Sequence, residues 1–314
     1  MNSVGGYYEL ELRKGKEFHP DAIALNTGRN ALELILKVKK YSKVYIPYYT
    51  CDVIIEPLKK THTLYEFYNI NKKLEPVFDY TLIKKNEGFL YTNYFGIKDA
   101  FLKTIAKKCN NLIIDNSQAF FAKPMAGIPA FYSCRKFFGV PDGAYLYLED
   151  AANLDLPIDQ SEGRCGHLLK RIEFGTEAGY NDYKANEKSF IGQPIKQMSK
   201  LTKALLRNID YEFVQKKRKE NFLSLHKDLS KYNELEIDIT NEFVPLVYPL
   251  LKNIAGLRQK LIRNKIFVAS YWPNVLEWTS NESIENEISS QLIPLPIDQR
   301  VGLEELTLIV KLLI

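Results

Sequence analysis

Residues 111–117 read NLIIDNS. Leu112, Ile113 and Ile114 follow one another, so both faces of a strand built from them are apolar, and Asp115, Asn116 and Ser117 end the run. A short apolar segment of this kind is expected inside a parallel sheet covered on both sides, because a half-solvated strand would alternate. The neighbouring segments support the same sheet. NALELILKVKK (30–40) has the apolar spacing of a helix and ends in lysines, while KVYIPYY (43–49) is a short β-rich run. CDVIIEPLKK (51–60) reads as a helix broken by Pro57, TLYEFYNI (63–70) as an alternating strand, and GFLYTNYFG (88–96) as a strand ended by glycine. KDAFLKTIAKKC (98–109) is a further helix, and AYLYL (144–148) a further strand. Alternating helices and buried strands predict an α/β fold with a mostly parallel sheet, whose binding sites lie beyond the carboxyl ends of its strands.

The second half differs. Residues 185–230 read as long helices with Pro194 near their start. The segments 242–251, 256–266, 267–273 and 291–298 suggest a smaller α+β unit, closed by an amphipathic helix over 303–314. The change of character falls near 205–230.

Composition narrows the class of protein. The 314 residues are 46% apolar and 26% charged, the balance of a globular chain with a large core. The formal charge of +5 is spread out, and its densest run, QKKRKE (215–220), is expected to be a solvated helix face rather than a nucleic-acid patch. No run of 18 apolar residues is present to span a membrane, and the opening segment lacks the apolar core of a signal peptide. Four cysteines (51, 109, 134, 165) and four histidines (19, 62, 167, 226) are scattered without metal-ligand spacing. No metal site and no disulfide framework is expected, the cysteines read as buried free thiols, and the protein is expected in the reducing cytoplasm.

Three segments at element boundaries carry chemistry. TGRNAL (27–32) sets Thr27 and Gly28 before a helix, where backbone N–H groups and the helix dipole face an anion. IIDNSQAF (113–120) puts Asp115 at a strand terminus with Gln118 three residues on. SCRK (133–136) breaks an apolar stretch with Ser133 and Lys136. A phosphorylated pyridine cofactor would need such a set: an anion seat, an acid for its ring nitrogen and a lysine to hold it as a Schiff base. Each segment alone reads equally well as a helix cap or a turn. Their order, each at a boundary, favours chemistry.

Taken together, these segments resemble the fold-type-I pyridoxal-phosphate enzymes, specifically the sugar aminotransferases of the DegT/StrS type. LNTGRNALELIL is similar to that family's phosphate segment, VYIPYYTCDVI to its next strand and loop, and LIIDNSQAFFA to its Asp–Gln segment. FYSCRKFFGVPDGAYLY resembles the cofactor-lysine segment, and AGYNDYKANE and LIPLPIDQRVGLEEL resemble later segments, so the likeness runs from about residue 22 to the C-terminus.

The resemblance implies a three-layer α/β/α domain over 1–210, its first ~20 residues packing on a smaller α+β domain over 211–314. It implies that pyridoxal 5'-phosphate is held covalently by Lys136, which also moves the substrate proton. Asp115 would face the ring nitrogen and Gln118 the ring oxygen. Backbone around Gly28, Arg29 and Asn30, helped by Ser133, would take the phosphate. Asn181 would reach the phosphate of the neighbouring subunit, which implies a homodimer with shared sites. The family's ring-stacking aromatic falls at Cys51, so stacking would come from Tyr49 or from elsewhere, or be weak. The family's serine falls at Phe131, and two loop glycines become Pro141 and Ala144. The implied reaction is amino transfer, from glutamate, to a keto sugar linked to a nucleotide, in surface-polysaccharide or related sugar synthesis. The alternative is a non-catalytic member that binds cofactor or sugar nucleotide without transamination.

Overall fold

The computed structural model describes residues 5–149, 151, 155–239 and 243–313. The first four residues, the start of the 242–251 segment and the last residue of the closing helix lie outside the described residues.

In chain order the main strands are β1 (Ile23–Leu25), β2 (Lys43–Pro47), β3 (Leu64–Ile70), β4 (Pro76–Val77), β5 (Glu87–Thr92), β6 (Leu112–Asn116), β7 (Ala130–Ser133) and β8 (Ala144–Tyr147). They form one eight-stranded sheet in the order β1-β8-β7-β6-β5-β2-β3-β4. β7, β6, β5, β2 and β3 run parallel, β8 and β4 run against them, and edge strand β1, antiparallel to β8, runs in their direction. Every residue of central β6 is buried, whereas the outer half of β3, with only the short β4 beyond it, is exposed. That difference explains why 112–114 reads as continuously apolar and 63–70 as alternating.

Alternate residues of the strands serve opposite faces. Ile46, Leu90, Ile113 and Leu146 meet Leu32, Ile35 and Leu36 of α1 (Gly28–Lys39) and Leu58 of α2 (Ile55–Lys60). Tyr45, Phe89, Tyr91, Ile114 and Tyr132 belong to the other face, with Leu102 of α3 (Asp99–Ile105). Truncating a buried leucine such as Leu32 to alanine in this setting costs about 2–5 kcal/mol. Next come α4 (Gly166–Phe174), α5 (Tyr180–Ser189), α6 (Lys200–Arg207) and α7 (Tyr211–Leu229). A second, antiparallel sheet pairs β9 (Tyr248–Leu251) with β10 (Leu292–Leu295). Around it lie α8 (Leu257–Arg263), α9 (Pro273–Trp278), α10 (Ile284–Gln291) and α11 (Leu303–Leu313). One buried cluster runs from the large sheet through α7 to Leu250 and Ile293.

Residues 13–17 rest on the end of α6 and on β8, through Arg13 to Asn208, Gly15 to Arg207 and Glu17 to both Arg207 and Tyr145, and Phe18 packs on Tyr211 at the start of α7. Two expectations are corrected. The 215–220 run is not wholly solvated, because Arg218 is only 2% exposed. Arg218 lies one turn from both Val214 and Phe222 on the buried stripe of α7. Its guanidinium donates to the carbonyls of Leu246 (2.9 Å) and Pro245 (3.3 Å) and covers the Phe137 ring at 4.6 Å. Among the cysteines, Cys109 and Cys134 are buried but Cys51 and Cys165 are half-buried.

Candidate active site

A cleft opens beyond the carboxyl ends of β2, β6 and β7, beside the N-terminus of α1. Its empty space, open mouth included, is about 840 Å³. The order of the sheet places it where crossovers reverse direction, since β2 leads outward to β3 while β5 leads the other way to β6 and β7.

Asp115 ends β6 and reaches the cleft while only 5% exposed. Its Oδ1 accepts the N–H of Ser117 at 2.8 Å. Burial pushes its carboxyl above the ordinary range, and the nearby Lys136 ammonium and the Ser117 bonds pull it part of the way back. Lys136 closes the 3-10 turn Cys134–Lys136 that follows β7, pinned by Phe137 N–H donating to Cys134 C=O at 3.1 Å. Its Nζ lies 3.4 Å from Ser117 Oγ, and among the described residues no carboxylate is within ion-pair distance of it. A buried acid and an unpaired lysine thus share one end of the cleft.

The opposite end suits an anion. Thr27 caps α1, its hydroxyl accepting Asn30 N–H at 3.2 Å, which leaves the N–H groups of Gly28 and Arg29 at the cleft. Asn30 itself is turned inward, donating to Asn26 Oδ1 (2.9 Å) and Pro194 C=O (2.8 Å). Its N–H and its amide nitrogen are both committed to the scaffold, so the anion seat narrows to Gly28, Arg29 and Ser133. Arg29 is paired with Glu56 at 2.8 Å.

The segment after the lysine is firmly held. Buried Asp142 accepts from Ser199 N–H (3.0 Å), Ser199 Oγ (2.7 Å) and Thr202 Oγ1 at the start of α6. Gly143 takes φ +114°, and a Cβ there would come within 3.0 Å of Thr202. Pro141 and Ala144 therefore flank a loop fixed by its carboxylate and its glycine.

Of the other expected residues, Ser133 lines the cleft. Gln118 is fully buried behind it, its Oε1 accepting Phe95 N–H at 2.9 Å and its amide nitrogen without a partner among the described residues. Tyr49 is also fully buried, 5.0 Å from the Trp272 ring, and does not line the cleft. Asn181 is exposed on α5, outside it.

Several lining residues carried no sequence signal: Thr50, Ser117, Arg135, Glu187, Phe190 and Trp272. Arg135 pairs with Glu187 and lies over Phe190 at 4.6 Å, and burial lowers its guanidinium to about 10. Cys51 also lines the cleft, its thiol pushed up by burial against the pull of Lys136. Sequence spacing alone does not bring Trp272 or Glu187 to Lys136, because the approach depends on tertiary structure.

No family model and no curated protein matches the chain. Solved structures do. Sugar aminotransferase CalS13 from Micromonospora echinospora superposes with a TM-score of 0.64 at 12% identity, over 94% of this chain and 87% of that one. DesV from S. venezuelae, in complex with a ketimine intermediate, gives 0.64 at 15% identity over 93% and 83%. NtdA from Bacillus subtilis, with bound cofactor PMP, gives 0.63 at 14% identity over 92% and 73%. The fold is that of these aminotransferases. At such identity the likeness establishes the α/β architecture and its small second sheet, and the chemistry rests on the cleft. Among the described residues no cluster of His, Cys, Asp or Glu is arranged to hold a metal ion, and no helix is long and apolar enough to cross a membrane.

Proposed function

We propose that the chain is a pyridoxal-phosphate-dependent aminotransferase that delivers an amino group, from glutamate, to a keto sugar linked to a nucleotide. The observation that carries this reading is Lys136, unpaired by any described carboxylate, beside buried Asp115 in a cleft whose far end is a helix N-terminus.

The residues present fit the cofactor. Asp115 would hold its ring nitrogen, Gly28, Arg29 and Ser133 its phosphate, and Lys136 its aldehyde carbon. Gln118, fully buried behind the cleft, keeps an amide nitrogen unpartnered among the described residues but does not line the cleft. When bound, pyridoxal phosphate supplies an electron-poor ring that delocalises the electron pair left when a carbon beside the amino nitrogen loses its proton.

The chain's own groups do the rest. As a carboxylate, held by the Ser117 N–H in a buried, low-dielectric corner, Asp115 would pair with positive charge on a ring nitrogen beside it and so keep that nitrogen protonated. The Nζ of Lys136, once free as an amine, takes the proton from the substrate carbon and returns it one position away. Ser117 Oγ, 3.4 Å from Nζ, steadies that nitrogen between the two positions. Arg29 and Arg135 add positive charge around the phosphate end, and Phe131 and Phe190 help exclude water. In this reading Asn181, exposed on α5, would reach the phosphate site of a second copy in a homodimer with shared sites.

Adding glutamate to protein loaded with pyridoxal phosphate should convert the cofactor absorbance to that of the pyridoxamine form, and a nucleotide-linked keto sugar should reverse it. A cofactor that binds but does not respond to glutamate, other amino donors or keto sugars would instead indicate a binding protein that kept the fold.

A further inference from the structure

Cys51 leaves the lysine end of the cleft with a small side chain where a flat ligand ring needs a surface. Three aromatic side chains line the cleft: Phe131, Phe190 and Trp272. Phe131 lies under the start of α1, its ring 3.7 Å from where a Cβ on Gly28 would stand, so it belongs to the anion end. Phe190 has Arg135 over its ring at 4.6 Å and Arg164 at 5.0 Å, and its faces are engaged. Among the described residues lining the cleft, Trp272 is the aromatic that reaches the lysine, its ring centroid 5.9 Å from Lys136 Nζ.

The indole is also firmly seated. Its ring packs on buried Tyr49 at 5.0 Å, and its carbonyl accepts Ser289 Oγ from α10 at 2.6 Å. Two residues on, Asn274 Nδ2 donates to Thr50 C=O at 2.9 Å, tying the segment to the loop that carries Cys51. Trp272 is only 8% exposed although it lines a cleft. A small residue at 51 and a large ring fixed beside it from a distant segment are complementary, as one supplies the room and the other fills it.

We propose that Trp272 is the positioning residue against which the planar cofactor ring lies, supplied by the unit around the small sheet in place of an aromatic from the loop after β2. This rests on the functional reading above. Aromatic surfaces pack offset or edge to face with a gain beyond area burial, so loss of the indole should weaken the cofactor's hold while Lys136 remains able to react.

The test compares Trp272→Phe and Trp272→Leu in the full chain, titrated with pyridoxal phosphate and followed by the cofactor's absorbance and its induced circular dichroism. Trp272→Leu keeps an apolar side chain of useful size, so the apo protein should keep its far-UV spectrum. Its cofactor affinity should fall by ~10-fold with loss of the induced signal, and Trp272→Phe should restore most of both. Equal affinity and an unchanged induced signal in all three proteins would overturn the assignment of Trp272 and leave the aminotransferase reading standing. Failure of the unaltered protein to bind the cofactor at all would overturn both. If Trp272→Leu does not fold, Trp272→His retains a planar ring and should keep the signal, and its loss in folded protein counts against the proposal.

Discussion

The two walls of the cleft are built differently. One consists of strand ends and the turn after β7: Asp115, Lys136 and Ser133, each fixed by register and by backbone hydrogen bonds within a few residues. The other consists of Cys51 and Trp272, joined by an Asn274–Thr50 bond across 224 residues of chain. On the proposed function, the first wall carries the groups that would exchange protons and the second carries apolar surface, so the strand wall would set the rate of chemistry and the other wall how the ligand is held.

The largest effect should come from the strand wall. Lys136→Ala is expected to slow the glutamate half-reaction by at least ~10³-fold, as removal of a general acid–base group does, with cofactor binding weakened far less. Rapid-mixing absorbance measures both, and comparable losses of rate in Lys136→Ala and Trp272→Leu would break the division between walls.

Asp115→Asn sharpens it further. The amide oxygen can still accept from Ser117, but the proton on the ring nitrogen is no longer held, so the half-reaction should fall by ~10²–10³-fold. Because burial penalises the Asp115 charge, the apo variant should melt no lower than the unaltered protein near neutral pH. Thermal unfolding checks this, and a lower melting temperature would mean that Asp115 is structural.

Behind the strand wall sits His19, ringed by Phe120, Tyr132 and Tyr145, with Nε2 2.7 Å from Phe120 C=O. Burial lowers its pKa from 6.5 to about 4. The unfolded chain then binds a proton that the folded chain refuses, so stability falls as pH drops from about 6.5 toward 4, by ~2 kcal/mol at pH 5. Denaturant titrations at pH 7 and pH 5 should show that loss, and His19→Gln should flatten it. The smallest effect is expected at the loop after the lysine. Ser199→Ala removes the α6 cap and one Asp142 bond, and should cost ~1–2 kcal/mol of stability with little change in the half-reaction.

The strand wall was legible because its signals are local. Continuous apolar residues at 112–114 announce a buried strand, and a polar residue straight after it must lie at the strand's end. The same logic locates Ser133 at the end of β7 and Lys136 just beyond it. The inward turn of the Asn30 side chain was not legible, because its hydrogen bonds to Asn26 and Pro194 depend on a chain return that periodicity does not reveal. Arg218 was hidden in a charged run, although its position one turn from Val214 and Phe222 was a usable clue. Trp272 left no trace, since a lone aromatic in an irregular segment acquires meaning only from what folds against it.

The central claim is that Lys136 is the group that reacts with the cofactor. Borohydride reduction of the protein after incubation with pyridoxal phosphate, followed by peptide mass spectrometry, tests it directly. The account predicts one stoichiometric pyridoxyl mark on the peptide containing Lys136, absent from Lys136→Ala. A mark scattered over surface lysines, or one that persists in Lys136→Ala, would contradict it.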